Sequence, residues 1–413
     1  MKHSKSKWQL FLAIMGPGII TAFADNDAGG IVTYAAAGAK YGYALLSVLL
    51  VSTLCLAVVQ EISARTGAVT GQGLSDLIRE QYGVRWTFFA MAVLLLANIG
   101  TTVSEFSGIA TSFEILGVNK YVSVPLAACA IWWLVLKTSY EKMEKIFLLL
   151  CLTFFSYVFS GFLASPDWQQ AARAIVQPEF RLDIDFLLVA VGIIGTTVTP
   201  WGQFYIQASV VDKGITAKEY RYTFWDVMIG SFFTGFIALF ILVATAATLY
   251  VHQVPIESAK DVAWALEPLA GPYAMLLFAG GLLGASMLAA FILPLSTAYA
   301  VCEALGFEHR ISSSYKEAPV FFGLYTLLIA AGAGIVLWPD VSLYMMMLAS
   351  QVINGILLPP ILIFIILIAR DKGIMGRYVN SGLYNVICWL LVLVLILLSV
   401  LLLAGTLFPA MLS

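Results

Sequence analysis

Long apolar stretches, parted by short polar turns, run along this chain from residue 9 to residue 409. A helix needs about 20 mostly apolar residues to cross a bilayer. The pattern predicts eleven such spans, at residues 9–39, 42–64, 86–112, 120–137, 146–165, 185–212, 222–250, 272–303, 317–338, 341–370 and 383–409. Two of them are interrupted. The first is apolar from Trp8 to Ala24, breaks at Asp25-Asn26-Asp27-Ala28-Gly29-Gly30, and resumes from Ile31 to Ala39. The sixth carries Thr196-Thr197-Val198-Thr199-Pro200-Trp201-Gly202. The paired glycines are poor helix formers and predict unwinding there, while Pro200 lacks a backbone donor and clashes with the preceding turn.

Two breaks five spans apart fit a pair of inverted five-helix repeats, approximately 9–165 and 185–370, with an extra helix at 383–409 and a single domain over 1–413. Five is odd, so the halves enter the membrane in opposite senses, and in such carriers the substrate lies between the breaks. Composition agrees: 61% of residues are hydrophobic and 11% charged, which excludes a soluble domain of this size. No cleavage site follows the first apolar run, so no signal peptide is expected. All but five of the 22 Lys and Arg residues fall on one side if the N-terminus is cytoplasmic, which places the C-terminus outside. The exceptions are Lys40, Lys120, Arg173, Arg181 and Lys260. Residues 66–83 read as a short amphipathic helix at the cytoplasmic surface. A net charge of −2 with no basic, aromatic-laced surface gives no reason to expect nucleic acid.

The candidate chemistry is all oxygen. An acid in hydrocarbon costs roughly 2.5–3.5 kcal/mol, so it should face a protein-lined or watery cavity. Asp25 is the leading ligand for a cation. Asp27 is either a second ligand or a carboxylate held by amides at the start of the resumed helix, where the dipole favours an anion. Glu105 on the third span is a proton or ion-pathway candidate or a structural acid, among Asn98, Thr101 and Thr102. Gln351 and Asn354 on the tenth span offer amide oxygens to an ion, or knit helices together. Gln60 and Glu61 read as structural, and Asp226 as structural or gating. Cys55, Cys129, Cys151, Cys302 and Cys388 are scattered singly, and His3, His252 and His309 lie in tails or loops. Hard oxygen donors suit Mg²⁺, Ca²⁺ or Mn²⁺ better than copper or zinc. Mg²⁺ sheds water reluctantly, and the small residues Ala28, Gly29, Gly30, Gly195 and Gly202 leave room for a hydrated ion.

Gly16-Pro17-Gly18, the Ala24-Asp25 break, and Gly38-Ala39-Lys40-Tyr41-Gly42-Tyr43 resemble the first helix of the Nramp (SLC11) divalent-metal transporters. The resemblance extends to Gln60-Glu61-Ile62-Ser63-Ala64-Arg65-Thr66-Gly67, Thr70-Gly71, Glu105-Phe106, Gly195 to Pro200, Ser350-Gln351-Val352 and Leu358-Pro359. It implies the amino-acid/polyamine/organocation transporter fold, with Asp25 as the metal-binding acid and Glu105 as the acid associated with proton coupling.

The departures from that pattern are informative. The family's Asp-Pro-Gly-Asn reads Asp25-Asn26-Asp27-Ala28 here, so the Asn ligand falls on Ala28 unless Asn26 or Asp27 substitutes for it. The family's methionine falls on Thr199, whose hydroxyl relaxes selection against Mg²⁺ and Ca²⁺. The histidine after proline is Trp201, and a further acid near Glu105 is Thr102. This combination resembles the Nramp-related magnesium transporter branch. The metal candidates are therefore Asp25, Asn26, Asp27, Ala28, Thr196, Thr199 and Gln351; the proton or gating candidates are Glu105, Thr102 and Asn354.

The expected function is import of divalent cations through a plasma membrane. Mg²⁺ is favoured and partly hydrated, Mn²⁺ is accepted, and proton coupling is weak or absent. The alternatives are a proton-coupled Mn²⁺/Fe²⁺ transporter and a Na⁺-coupled carrier of an organic solute such as an amino acid. Two acids at the break would repel a substrate carboxylate. An enzyme would want a nucleophile–base pair, which is missing, so no cofactor is expected beyond the transported ion.

Overall fold

A computed structural model describes residues 18, 21, 24–137, 155–179, 181, 183–307 and 316–407. Among these residues the structure is helical, with no strand. The helices are α1 (Ala28–Tyr41), α2 (Leu46–Thr70), α3 (Leu74–Tyr82), α4 (Val84–Ile115), α5 (Lys120–Lys137), α6 (Phe155–Leu163), α7 (Trp168–Val176), α8 (Ile184–Thr197), α9 (Pro200–Asp212), α10 (Tyr220–Thr245), α11 (Ala274–Leu305), α12 (Pro319–Val336), α13 (Leu343–Ala369) and α14 (Gly382–Leu407).

Eight segments among the described residues are long and apolar enough to cross a membrane, and they coincide with eight of the expected spans. A further apolar helix, Lys120–Leu136, is shorter. The expected spans at 9–39 and 146–165 lie partly outside the described residues, which retain α1 and α6. His3, His309 and Cys151 also lie outside them. The polar segment 66–83 divides: α2 continues to Thr70, Gly71 turns the chain with φ +69°, and α3 begins at Leu74. Leu74, Leu77 and Ile78 of α3 are buried, and Asp76 pairs with Arg79 at 3.2 Å, so α3 is amphipathic as its sequence predicts.

The helices form two groups around the interrupted pair. In one group α4 packs on α11, α12 and α13; in the other α10 packs on α1 and α2, and α9 on α2. Helix α8 crosses α13 and touches α1, so α13 lies against both groups. Small residues permit these crossings, because lipid gives apolar helices no hydrophobic reason to associate and close packing must hold them. A Cβ on Gly195 would overlap the Gln351 carbonyl, and one on Gly355 would stand 2.5 Å from the Val191 carbonyl. Gly38 of α1 similarly rests on the backbone of Leu242 in α10.

Candidate functional site

The first break falls one step earlier than the glycines suggest. Ala24 and Asp25 are helical, Asn26 is a bend, and Asp27 is extended with ψ −179°. Asp27 then caps α1, its carboxylate accepting the Gly30 N–H at 2.6 Å. The expectation that Gly29 and Gly30 unwind the helix is therefore corrected: both lie in the first turn of α1. Their role is close approach. A Cβ on Gly29 would collide with the Gln351 amide and stand 2.7 Å from Ser104 Oγ, and one on Gly30 would stand 2.7 Å from Thr196 Oγ1.

The second break lies at Val198 and Thr199, between α8 and α9. Pro200 occupies the first position of α9, where its fixed φ and missing donor cost nothing. It offers no N–H to the Thr196 carbonyl, so the helix cannot run through. Thr199 holds the cap position of α9, yet its hydroxyl does not cap the helix. It crosses instead to Asp25 Oδ1, at 2.9 Å. The two breaks, far apart in sequence, thus meet through one hydrogen bond.

Three carboxylates gather around that contact. Asp25 is fully buried and receives Thr199 on one oxygen and Gln60 Nε2 on the other, at 3.2 Å. Asp27 receives Gly30 N and Gln351 Nε2, the latter 3.2 Å from each carboxylate oxygen. Glu105 accepts the Ala28 N–H at 3.2 Å and so holds the start of α1 from α4. Gln351 is held in turn by Asn354, whose amide also reaches Thr101. Tyr34 Oη and Thr197 Oγ1 share a hydrogen bond of 3.0 Å alongside. Asp226 accepts the Gly18 N–H at 2.7 Å, which ties α10 to the segment preceding the break.

Most of the residues singled out from sequence converge here. Asp25 is joined to Thr199, and Asp27 to Gln351 and Glu105, while Asn26 is buried at the bend itself. Thr196 lies beside Gly30, its hydroxyl buried next to that of Tyr34. Ala28 contributes a backbone N–H but no ligand, and its methyl lies against Gly108 of α4. Thr102 is turned away: its hydroxyl bonds the Asn98 carbonyl of its own helix at 2.6 Å and its methyl faces Gly332 of α12. Gln60, read from sequence as structural, is a direct partner of Asp25. The signal was an amide well inside an apolar span.

The donor set is hard and oxygen-rich. Among the described residues no three His, Cys, Asp or Glu side chains converge as a ready metal cage. Asp25 instead takes a hydroxyl and an amide, while Asp27 takes an amide and a backbone N–H and shares a further hydrogen bond with Glu105. Gly202 lets the backbone of α9 pack closely on this contact: a Cβ there would stand 3.0 Å from Thr199 Oγ1 and 3.6 Å from Asp25 Oδ1. Ser104 Oγ and Gln203 Nε2 are also buried there without hydrogen-bond partners, and buried groups of that kind commonly anchor water.

Paired broken helices with acids at the break define a class, the multi-pass membrane carriers with a central site. Comparison with known proteins gives the particular family. The profile of the Nramp family, natural resistance-associated macrophage protein-like, matches residues 18–405. The chain belongs to this family. It is 28% identical to the divalent metal cation transporter MntH of Latilactobacillus sakei, over 97% of this chain and 90% of that protein. It is 27% identical to MntH of Bacillus subtilis, over 96% and 92%. The fold matches a manganese transporter of Eremococcus coleocola with a TM-score of 0.78, at 20% identity over 99% of this chain and 90% of that one. More distantly it matches MhsT, solved with L-phenylalanine, with a TM-score of 0.60 at 14% identity over 97% and 98%.

Proposed function

We propose that this protein is a carrier of divalent metal cations that favours partly hydrated Mg²⁺, accepts Mn²⁺, and couples weakly or not at all to protons. One observation carries the reading: the Thr199 hydroxyl, at the second break, donates to Asp25 at the first, at 2.9 Å. A hydroxyl at that position offers a hard donor where the family resemblance places a thioether. Oxygen donors do not discriminate against Mg²⁺ as sulfur does. The hydroxyl and amides that hold Asp25 and Asp27, with no Lys or Arg among them, also support a loosely held ion that keeps water, as Mg²⁺ prefers. Two carboxylates offset the charge of one divalent ion, and an organic carboxylate would be repelled by the same pair.

Transport would follow alternating access between two inverted five-helix repeats, with the breaks of α1 and α8–α9 as the pivot. The Lys and Arg distribution supports a plasma-membrane protein with a cytoplasmic N-terminus. An inside-negative potential contributes about 2.3 kcal/mol per charge per 100 mV, enough to drive a divalent ion inward without protons. No histidine stands among the site residues described above.

The test is Mg²⁺ uptake into proteoliposomes of the purified protein, with Mn²⁺ competition, a lumenal pH probe, and Asp25→Ala alongside. Mg²⁺ uptake that Mn²⁺ inhibits, that Asp25→Ala abolishes, and that moves few protons is the expected result. Mn²⁺ uptake without Mg²⁺ uptake, or with stoichiometric proton entry, would instead make this a proton-coupled manganese or iron carrier.

A further inference from the structure

The amides behind Asp27 form a chain with a direction. Gln351 turns Nε2 toward Asp27, at 3.2 Å from each oxygen, and its Oε1 accepts from Asn354 Nδ2 at 3.0 Å. Asn354 Nδ2 also lies 3.0 Å from Thr101 Oγ1. Gln351, Asn354 and Thr101 are fully inaccessible, and Asp27 is 1% exposed. An ionised carboxylate only accepts, so it requires the nitrogen end of Gln351. That choice sends Oε1 to the opposite side, where it needs a donor, and Asn354 provides one.

Thr101 makes this direction reversible. Its hydroxyl both donates and accepts, and it lies within 3.1 Å of the Ala97 carbonyl and 3.3 Å from Asn354 Oδ1. It can therefore satisfy Asn354 with either end of that amide facing it. The chain thus has a second satisfied arrangement, with both amides rotated. Gln351 then presents its carbonyl oxygen to the site, while its nitrogen donates to Asn354 Oδ1. A cation next to Asp27 favours the rotated form, since a cation, or a water in its shell, seeks an oxygen. Rotation of Gln351 alone would set two donors against each other at Asn354 and leave two acceptors facing at Asp27, which is costly in a buried network.

We propose that Asn354 is a positioning residue for cation binding: by turning together with Gln351, it sets whether the nitrogen or the oxygen of that amide faces the site. The proposal rests on the cation-carrier reading above but not on its preference for Mg²⁺. It makes α4 a silent contributor to affinity, through Thr101, without contact between Thr101 and the ion.

A double-mutant cycle in proteoliposomes tests it, with Mn²⁺ and Mg²⁺ uptake measured for wild type, Asn354→Leu, Gln351→Leu and the double variant. Losing the neutral amide bond that orients Gln351 should raise KM about fivefold with little change in maximal rate. In the Gln351→Leu background the second substitution should have no further effect, because Asn354 acts only through Gln351. Fully additive effects, or an unchanged KM in Asn354→Leu, would overturn the proposal and leave Asn354 as glue between α4 and α13. Thr101→Val, which preserves shape and removes only the hydroxyl, carries the same cycle if Asn354→Leu fails to assemble; its expected rise in KM is about threefold, again silent without Gln351. A wild type that carries Mn²⁺ but not Mg²⁺ would refute the Mg²⁺ preference alone, and the cycle would then be read on Mn²⁺.

Discussion

Two buried groups of acids stand on the same face of this molecule's logic and end differently. At the break, Asp25, Asp27 and Glu105 are held by a hydroxyl, two side-chain amides and two backbone N–H groups, and Asp27 and Glu105 share a hydrogen bond with each other. Further along α2, Glu61 is held by Arg65, whose Nε lies 3.0 Å away and Nη2 3.3 Å away, and by the hydroxyls of Tyr384, at 2.9 Å, and Tyr220. Arg65 continues to the Tyr378 carbonyl at 2.6 Å and to Asn380. The second group carries its own counter-charge and ties α2 to α10 and α14. The first lacks one among its bonded partners. A buried charge without a fixed counter-charge costs several kcal/mol, which fits the role proposed above for the first group, holding a cation that comes and goes.

Substitution should separate the two groups sharply. Glu61→Gln leaves Arg65 as a buried charge without its anion and is expected to cost about 3–5 kcal/mol of stability. Its uptake per folded molecule and its ion affinity should stay near wild type. Asp25→Asn should do the reverse: divalent uptake falls by more than about a hundredfold, as expected for loss of a principal charged ligand, while thermal unfolding in detergent occurs no earlier than in wild type. A destabilised Asp25→Asn, or a fully stable Glu61→Gln, would mean that the two groups are alike after all.

A smaller effect sharpens the chemistry of the first group. Thr199→Met replaces the hydroxyl facing Asp25 with a thioether, a soft and weak ligand for hard ions. Competition between Mg²⁺ and Mn²⁺ for uptake should then move about tenfold toward Mn²⁺. An unchanged ratio would show that the α8–α9 break does not set selectivity.

Much of this was legible in the sequence, for a physical reason. A bilayer demands both length and apolarity from each helix, so α2, α4 and α10 to α14 announce themselves. Acids inside such a run are conspicuous, and Asp25 and Asp27 marked the first break. What could not be read was distance. Gln351 and Asp27 stand 324 positions apart, and nothing local says that the amide closes on that carboxylate. Gln60 reads as structural from sequence, four residues short of the end expected for its span at residue 64. Buried partners for Glu61 and Arg65 instead carry the helix to Thr70. The glycines at 29 and 30 answer to the same kind of distant packing. Their low helix propensity is about 1 kcal/mol each, and the room they give Gln351, Ser104 and Thr196 decides their presence.

The weakest test concerns an ion pair with the opposite setting. Lys40, at the end of α1, meets Asp185, in the first turn of α8, at 2.5 Å, and these side chains are 52% and 63% exposed. The pair joins the two interrupted elements at the ends remote from their breaks, so it invites reading as a latch. Physical chemistry argues otherwise. Both groups keep most of their water, salt screens them within about 10 Å, and exposed pairs contribute roughly 0–1 kcal/mol. Asp185→Asn should therefore lower stability by less than about 1 kcal/mol and leave the uptake KM within about twofold of wild type. Any effect it has should vanish at high salt, which leaves the effect of Glu61→Gln in place. A large, salt-resistant loss of uptake in Asp185→Asn would show that charge at this exposed end is coupled to the central site after all.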